Sequence, residues 1–190
     1  MTMEHGMKER EEQLLDDFLN GSESAFEELV KENRERLYRT VMRIVRNQDD
    51  AMDVIQESLL KAYKGAASFR RESCFSTWLT SIAVREAINR VKRDRFRNML
   101  SLSLLAATPS SRCRNPEEGA VLSLLEGRVD AALRSLPAVQ RAVFSMKFYE
   151  GLKVREIADI VGSSEGAVKA SYFHAVRKLR KSLSGLVSKE

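Results

Sequence analysis

Apolar side chains recur at helical spacing along almost the whole chain, and this periodicity constrains the possible folds more than any other feature of the sequence. Successive apolar residues stand three or four positions apart, which is the repeat of one face of an α-helix. The clearest stripe comprises Phe26, Leu29, Val30, Leu37, Val41, Ile44 and Val45. No run alternates between apolar and polar residues for long enough to form a sheet. The sequence therefore predicts an all-α protein.

Prolines and other turn-forming residues mark where the chain divides. Residues 1–108 contain no proline, whereas Pro109 and Pro116 lie in the run TPSSRCRNPEEG, which favours turns over helix. Pro137 suits the first turn of a helix, where its missing N–H costs nothing. We therefore predict two small helical domains joined by a flexible linker. The predicted spans are 1–96 for the first domain, 97–120 for the linker and 121–190 for the second domain.

The charges of this 190-residue chain are unevenly distributed, with a formal net charge of +5. Residues 1–32 hold ten acidic and three basic side chains. By contrast, six basic residues lie within 85–97 beside two acidic ones, and another six lie within 166–189, where no acidic residue occurs. Two separate basic segments are typical of a protein that contacts a polyanion at two places. Nucleic acid is therefore the expected partner.

Several classes of protein lack a signature in this sequence. No stretch approaches the ~18 consecutive apolar residues of a membrane span, and the N-terminus lacks the basic start and apolar run of a secretion signal. We therefore expect a cytoplasmic protein without membrane insertion. Cys74 and Cys113 lie in no Cys/His cluster, so we expect reduced thiols, no metal and no cofactor. His5 and His174 lie far apart, and no nucleophile–base pair supports an enzyme.

Residues 153–181 carry the strongest functional signal, because a short helix, a turn at Gly162 and a longer basic helix over 163–184 predict a helix-turn-helix. Ser163 is expected to cap the second helix and to direct its N–H groups at a phosphate. The side chains expected to face inward are Ile157, Ala158, Val161, Val168, Tyr172, Ala175 and Leu179. Those expected to face outward are Glu165, Lys169, Ala170, Phe173, His174 and Arg177. This outward face suits a major groove, with an ordinary solvated helix as the alternative.

Two more surfaces are predicted in the first domain. Asp50, Asp53 and Glu57 share one helical face, and Asp50 is expected to cap that helix. Because like charges on one stripe repel, the face is either solvated or covered by a basic partner. Separately, Phe69, Phe75 and Trp78 lie close to the basic run 90–97. Rings beside cations suit single-stranded DNA, although Trp78 is equally compatible with core packing.

The C-terminal pattern resembles a known family. Residues 133–181 contain Leu136-Pro137, Gln140-Arg141, Gly151-Leu152, Glu156-Ile157-Ala158 and the run SEGAVK. This order is similar to that of the C-terminal domain of extracytoplasmic-function sigma factors of bacterial RNA polymerase. In the N-terminal half, DDAMDVIQESLLKAY (49–63) resembles the family's polymerase-binding helix, and SFRRESCFSTWLTSIAVREAINRVKR (68–93) resembles its promoter-melting segment.

The resemblance implies an alternative sigma factor that binds core RNA polymerase and directs promoter-specific initiation, with an anti-sigma factor as a further partner. The implied polymerase-binding residues are Asp50, Asp53, Gln56 and Glu57. The residues implied to contact the minus-ten element, read as a single strand, are Phe69, Arg70, Arg71, Ser73, Trp78, Arg85, Asn89, Arg90 and Arg93. Those implied to contact the minus-thirty-five duplex are Ser163, Gly166, Lys169, Ala170, Phe173, His174 and Arg177.

Three residues depart from the family pattern. Arg71 stands where the loop commonly has glycine, Arg85 where the following helix commonly has asparagine, and Lys153 where a Ser or Thr usually caps the helix. Two other classes of protein are considered. A helix-turn-helix repressor or response-regulator output domain would account for residues 137–184 alone, and a helical adaptor would leave both basic segments without a partner.

Overall fold

A computed structural model describes residues 2–102 and 120–187 of the chain. Those residues form eight α-helices and one short 3-10 helix, without a strand, which confirms the predicted all-α fold. The elements are α1 (Thr2–Leu19), α2 (Glu23–Val45), α3 (Gln48–Gly65), the 3-10 helix Ala66–Ser68, α4 (Phe75–Leu102), α5 (Ala120–Ser135), α6 (Ala138–Phe148), α7 (Val154–Val161) and α8 (Glu165–Val187). None of the described helices has the length and apolar character needed to cross a membrane.

The N-terminal half consists of α1 to α4, which pack their apolar stripes together. Leu15, Leu29, Leu79 and Val84 are almost completely buried in this core. At one end, the rings of Phe18, Phe26 and Tyr63 join α1, α2 and α3, with centroids 4.9 to 5.2 Å apart. Burial of apolar surface, rather than helix propensity, holds such a bundle together.

The turn between α2 and α3 differs in detail from the sequence prediction. Arg46 has a left-handed backbone (φ 62°) and donates its N–H to the Met42 carbonyl, so it closes α2. The side chain of Asn47 then accepts a hydrogen bond from the backbone N–H of Asp50 at 2.9 Å. Asn47 is therefore the cap of α3, and the prediction that Asp50 caps this helix is wrong. Asp50 lies in the first turn of α3, where its negative charge interacts favourably with the positive end of the helix dipole.

The C-terminal half consists of α5 to α8. Met146, Ile157 and Val168 are buried where α6, α7 and α8 meet. A second cluster joins α5 to α8 through Leu133, Leu136, Ala175 and Leu179, among others. The helix-turn-helix formed by α7 and α8 therefore rests on both α5 and α6.

The two halves contact each other directly, with α2 against α6 and α4 against α6 and α7. One cluster of buried apolar residues runs continuously from α1 to α8. The Arg43 guanidinium lies 4.2 Å from the centre of the Tyr149 ring and forms an ion pair with Glu150. Arg46 forms another ion pair with Asp130. The halves are thus joined by both apolar and polar contacts.

Arginines of each half donate to the carbonyl ends of helices in the other half. Arg141, only 3% exposed, donates to the Ile44 carbonyl at 2.6 Å. Arg95 donates to the Leu136 carbonyl at 2.6 Å, and Arg85 to the Ile160 carbonyl at 3.1 Å. The last carbonyls of a helix have no partner within it and carry partial negative charge, so they are good acceptors for cations.

Helix α4 extends into the span predicted as the linker. It continues to Leu102, so the first residues of the span 97–120 are helical. This extension follows the apolar character of the segment, which includes exposed Phe96 and Met99. Residues 103–119 lie outside the described part of the chain, and the predicted flexibility of the linker stays a prediction.

Candidate polymerase-binding and DNA-binding surfaces

The outer face of α3 is both acidic and apolar. The side chain of Asp53 is 63% exposed, and Gln56 and Glu57 are also exposed. Met52 and Leu60, at 48% and 53% exposure, lie on the same side of the helix. We call these five residues the α3 surface. Large exposed apolar side chains next to charged ones are typical of the core and rim of an interface. The apolar pair was not predicted from the sequence, because its exposure depends on how α3 packs.

Asp50 belongs to a different environment from the rest of the predicted acidic face. Its carboxylate forms an ion pair with Arg90 of α4, and both side chains are about one quarter exposed. Arg90 also approaches Asp53 at 3.6 Å and Asp94 at 3.4 Å. Burial alone would lower the pKa of Arg90, but these three carboxylates outweigh it and raise the pKa. The acidic cluster is therefore partly covered by the chain's own arginine, and Arg90 is turned towards α3.

We expect Asp50→Asn to lower the stability of the protein without weakening its binding to polymerase. The substitution removes an ion pair that braces α3 against α4, and a half-buried pair of this kind contributes about 1 kcal/mol. Thermal unfolding measures the first effect, and titration with labelled core polymerase measures the second. Loss of core binding in a folded Asp50→Asn variant would mean that Asp50 contacts polymerase directly.

An aromatic group borders the loop 69–74, between the 3-10 helix and α4. The ring of Phe69 lies 5.0 Å from Trp78 and 6.1 Å from Phe75. Phe75 is buried, while Phe69 and Trp78 are half-buried. The Trp78 ring packs over Gly65, and its nearest atom lies 3.6 Å from the point where a Cβ would stand on that glycine. Trp78 thus packs against both the end of α3 and the loop while remaining half-buried.

The predicted minus-ten residues on the loop and on α4 differ in whether their side chains are exposed or hydrogen-bonded within the protein. Arg70 and Ser73 in the loop, and Asn89 and Arg93 on α4, are exposed. Arg85 lies on the same face of α4, but its guanidinium donates to the carbonyls of α7. Positively charged and amide side chains on one helix face can follow a phosphate backbone.

The helix-turn-helix exposes the side chains that the sequence placed outside. The exposed residues of α8 include Glu165, Gly166, Lys169, Ala170, Phe173, His174 and Arg177. Phe173 is 63% exposed and lies beside His174. The buried residues include Val168 and Ala175, as predicted. The outward face of α8 is therefore free to enter a groove.

One detail of the helix-turn-helix was predicted wrongly. Ser164, rather than Ser163, accepts the backbone N–H of Ala167 at 3.2 Å and caps α8. This shift follows from Gly162, whose left-handed backbone (φ 67°) ends α7 and delays the start of α8 by one residue. On α7, Val161 is half-buried and packs against the core, as predicted, and Ile160 is buried as well.

Lys153 lacks a side-chain acceptor at the start of α7, but the helix is still capped. Glu156 reaches back and accepts the backbone N–H of Lys153 at 2.6 Å. This is the glutamate half of a capping box, which satisfies one of the orphan donors at the helix start. The departure from the family pattern at this position therefore costs less than the complete loss of a cap.

The structure brings together residues that were assigned to two different DNA elements. Arg85, Asn89 and Lys92 of α4 face Gly162 and Ser163 of the helix-turn-helix across a cleft of about 410 Å³. Arg85 and Asn89 were predicted to contact the minus-ten element, and Ser163 the minus-thirty-five element. In this closed arrangement the two predicted DNA-binding surfaces share one cleft.

A helix-turn-helix together with a separate acidic and apolar face on α3 is the arrangement expected of a helical DNA-binding protein that also binds a protein partner. Two family models match: Sigma-70 region 2 over residues 29–97, and Sigma-70, region 4 over residues 126–179. The chain is 30% identical to the ECF RNA polymerase sigma-E factor of Haemophilus influenzae, over 93% of this chain and 99% of that one. It is 31% identical to ECF sigma factor SigL of Mycobacterium tuberculosis, over 83% and 88%. The chain belongs to the extracytoplasmic-function family of RNA polymerase sigma factors.

Solved structures share the fold. The sigma factor RpoE of Bartonella quintana, in complex with the anti-sigma factor NepR, superimposes with a TM-score of 0.64 at 23% identity, covering 84% of this chain and 96% of that one. CnrH, in complex with the cytosolic domain of CnrY, gives a TM-score of 0.65 at 23% identity, covering 93% and 98%. The family models and the relatives, rather than these structures, show that the chain is an alternative sigma factor, a transcription initiation factor.

Proposed function

We propose that this chain directs core RNA polymerase to a set of promoters through three surfaces on α3, α4 and α8. The observation that carries the proposal is the exposure of all three surfaces on one helical scaffold, in the chain order that the family uses. In this proposal the chain itself catalyses no reaction and acts in the cytoplasm, where it meets polymerase and promoter DNA. The first domain corresponds to residues 1–96 and the second to 121–190.

The α3 surface is proposed to bind core polymerase. Asp53 and Glu57 offer carboxylates to a basic partner, and Met52 and Leu60 offer apolar area between them. Burying the apolar pair supplies affinity, while the carboxylates select a partner of opposite charge. Asp50 is not part of this proposed contact, because its carboxylate forms an ion pair with Arg90 and stabilises the packing of α3 on α4.

The loop 69–74 and the outer face of α4 are proposed to take the melted minus-ten strand. Phe69 and Trp78 provide rings for bases, Arg70 and Ser73 provide polar groups in the loop, and Arg93 provides a cation for phosphate. Base stacking on aromatic side chains is worth about 1–3 kcal/mol per base. That energy offsets part of the cost of unstacking a duplex.

The outward face of α8 is proposed to read the minus-thirty-five duplex. Lys169 and Arg177 can donate to phosphates or guanine edges, and Ala170 and Phe173 can contact thymine methyl groups. The exposed start of α8, at Ser164 to Gly166, suits a backbone phosphate. His174 completes this face.

The closed arrangement cannot engage both promoter elements at once. Two sites about 25 base pairs apart lie roughly 80 Å apart along B-form DNA. In the free chain Arg85 and Ser163 instead line one cleft. We therefore infer that the halves separate in the complex with polymerase, and that the free chain binds duplex promoter DNA only weakly. An anti-sigma factor is the proposed partner that holds the inactive state.

Run-off transcription tests the proposal. The purified chain is mixed with bacterial core polymerase and fragmented genomic DNA from its source organism, and new transcripts are mapped. Discrete start sites that depend on the chain are the expected result, and they reveal the promoter sequence. Tight, sequence-specific binding of duplex DNA by the chain alone, without new transcripts, would favour a repressor and contradict the proposal.

A further inference from the structure

Helix α1 lies beside the loop 69–74, although the matched sigma-70 region begins only at residue 29. Leu15 is buried against the bundle, and the acidic side of α1 faces the loop and the start of α4. The cavity between α1 and the loop measures only about 10 Å³, space for roughly one water molecule. Helix and loop therefore pack closely.

Arg71, in the middle of this loop, has an unusual backbone. Its φ angle is +57°, in the left-handed region that side chains other than glycine rarely adopt. A glycine would adopt this conformation without steric cost. The left-handed backbone therefore favours a glycine at this position, and an arginine here depends on contacts of its side chain.

Two carboxylates of α1 hold the loop and the start of α4. The Arg71 guanidinium forms an ion pair and hydrogen bond with Asp16. The hydrogen bond from Arg71 lowers the pKa of the Asp16 carboxyl, and the same bond raises the pKa of Arg71. Glu11 accepts hydrogen bonds from the backbone N–H and the hydroxyl of Ser76, at 3.4 and 3.3 Å. This second carboxylate lies at the N-terminus of α4, where negative charge is favoured.

We propose that α1 forms part of the minus-ten surface. In this proposal Asp16 holds the side chain of Arg71, and Arg71 is a positioning residue that shapes the base-reading loop instead of contacting DNA. The inference rests on the proposed function of the loop. It assigns a role to a helix that lies outside the matched region. It also gives Arg71 a role different from that of its neighbour Arg70, whose exposed side chain is proposed to face the DNA strand.

A double-mutant cycle on Asp16 and Arg71 tests this role. We expect Asp16→Asn to slow promoter opening by the holoenzyme roughly 5-fold, because the left-handed arginine loses its partner. Arg71→Gly should open the promoter at close to the wild-type rate, and adding Asp16→Asn to it should change little. Core affinity should be the same for all variants. The control is Asp17→Asn, which removes one charge from the same helix and leaves the Arg71 partner in place.

The single tryptophan gives a readout without DNA. Because Trp78 packs on Phe69 of the loop, we expect Asp16→Asn to increase acrylamide quenching of its fluorescence, and Asp17→Asn to leave it unchanged. Additive effects of the two substitutions, or a large loss of promoter opening in Arg71→Gly alone, would overturn the proposal and make Arg71 a DNA contact. If the wild-type chain neither binds core polymerase nor opens promoters, the proposed function fails, and the quenching comparison still decides whether Asp16 positions the loop.

Discussion

Reversing the charge of Asp53 and Glu57 together, as Asp53→Arg/Glu57→Arg, is expected to weaken core polymerase binding by at least about 100-fold and to abolish run-off transcripts. Both carboxylates lie on the exposed α3 surface, so the substitutions leave the core of the bundle intact. If a basic surface of polymerase covers them, each new arginine places like charge against like charge. Titration of the chain into labelled core polymerase measures the loss.

The matched control reverses two exposed glutamates elsewhere on the bundle. Glu27→Arg/Glu35→Arg adds the same charge on α2, where both side chains are exposed. This control should retain core binding to within a few-fold, since long-range repulsion between exposed charges is screened at physiological salt. If both double variants lose binding equally, overall charge rather than the α3 surface controls the interaction, and the assigned face is wrong.

Replacing Arg141 by methionine is expected to lower the free energy of unfolding by about 3 kcal/mol. Arg141 is buried and donates to the carbonyls of Ile44, Arg134 and Leu136, so it ties the C-terminal end of α2 to the turn between α5 and α6. Methionine fills similar volume but leaves the Ile44 carbonyl without this donor. Urea denaturation measures the change.

Arg134→Met serves as the control, because the Arg134 side chain is about half exposed and its bonds, to Asp130 on its own helix and to the Arg46 carbonyl, lie at the surface. Its cost should stay below about 1 kcal/mol.

Burial, together with the cations of Arg95, Arg46 and Arg134, lowers the pKa of Arg141 from its ordinary value to about 10. The unfolded chain therefore holds this proton more tightly, and stability due to Arg141 rises as pH rises through 10. The gap between wild type and Arg141→Met should widen from pH 9 to 11; equal losses in both variants at all pH values would contradict the role of Arg141.

The helices and the outward face of α8 could be predicted from sequence because both depend on local periodicity. Val168, Ala175 and Leu179 are buried and Lys169, Ala170 and Phe173 are exposed, as the helical repeat requires. Helix caps were predicted less well. Several neighbouring polar residues compete for each orphan N–H, and the choice of Asn47 over Asp50, or Ser164 over Ser163, depends on where the turn places the first helical residue.

The partners of the arginines could not be predicted, because a long side chain reaches acceptors that are remote in sequence. Arg90 forms an ion pair with α3, Arg85 donates a hydrogen bond to the end of α7, and Arg71 forms an ion pair with α1. Charge and resemblance predict DNA contacts for all three. Charge is a property of the sequence, but the direction of a guanidinium depends on which carbonyl or carboxylate the packing brings within reach.

The family, the all-α fold and the outward side of α8 could be predicted from the sequence, since each is encoded in local spacing. The packing of the helices was needed to show that the two halves close on each other, that Arg141 is buried between them and that α1 contacts the loop 69–74. Burial and ion pairing depend on distances between helices, which no local pattern specifies.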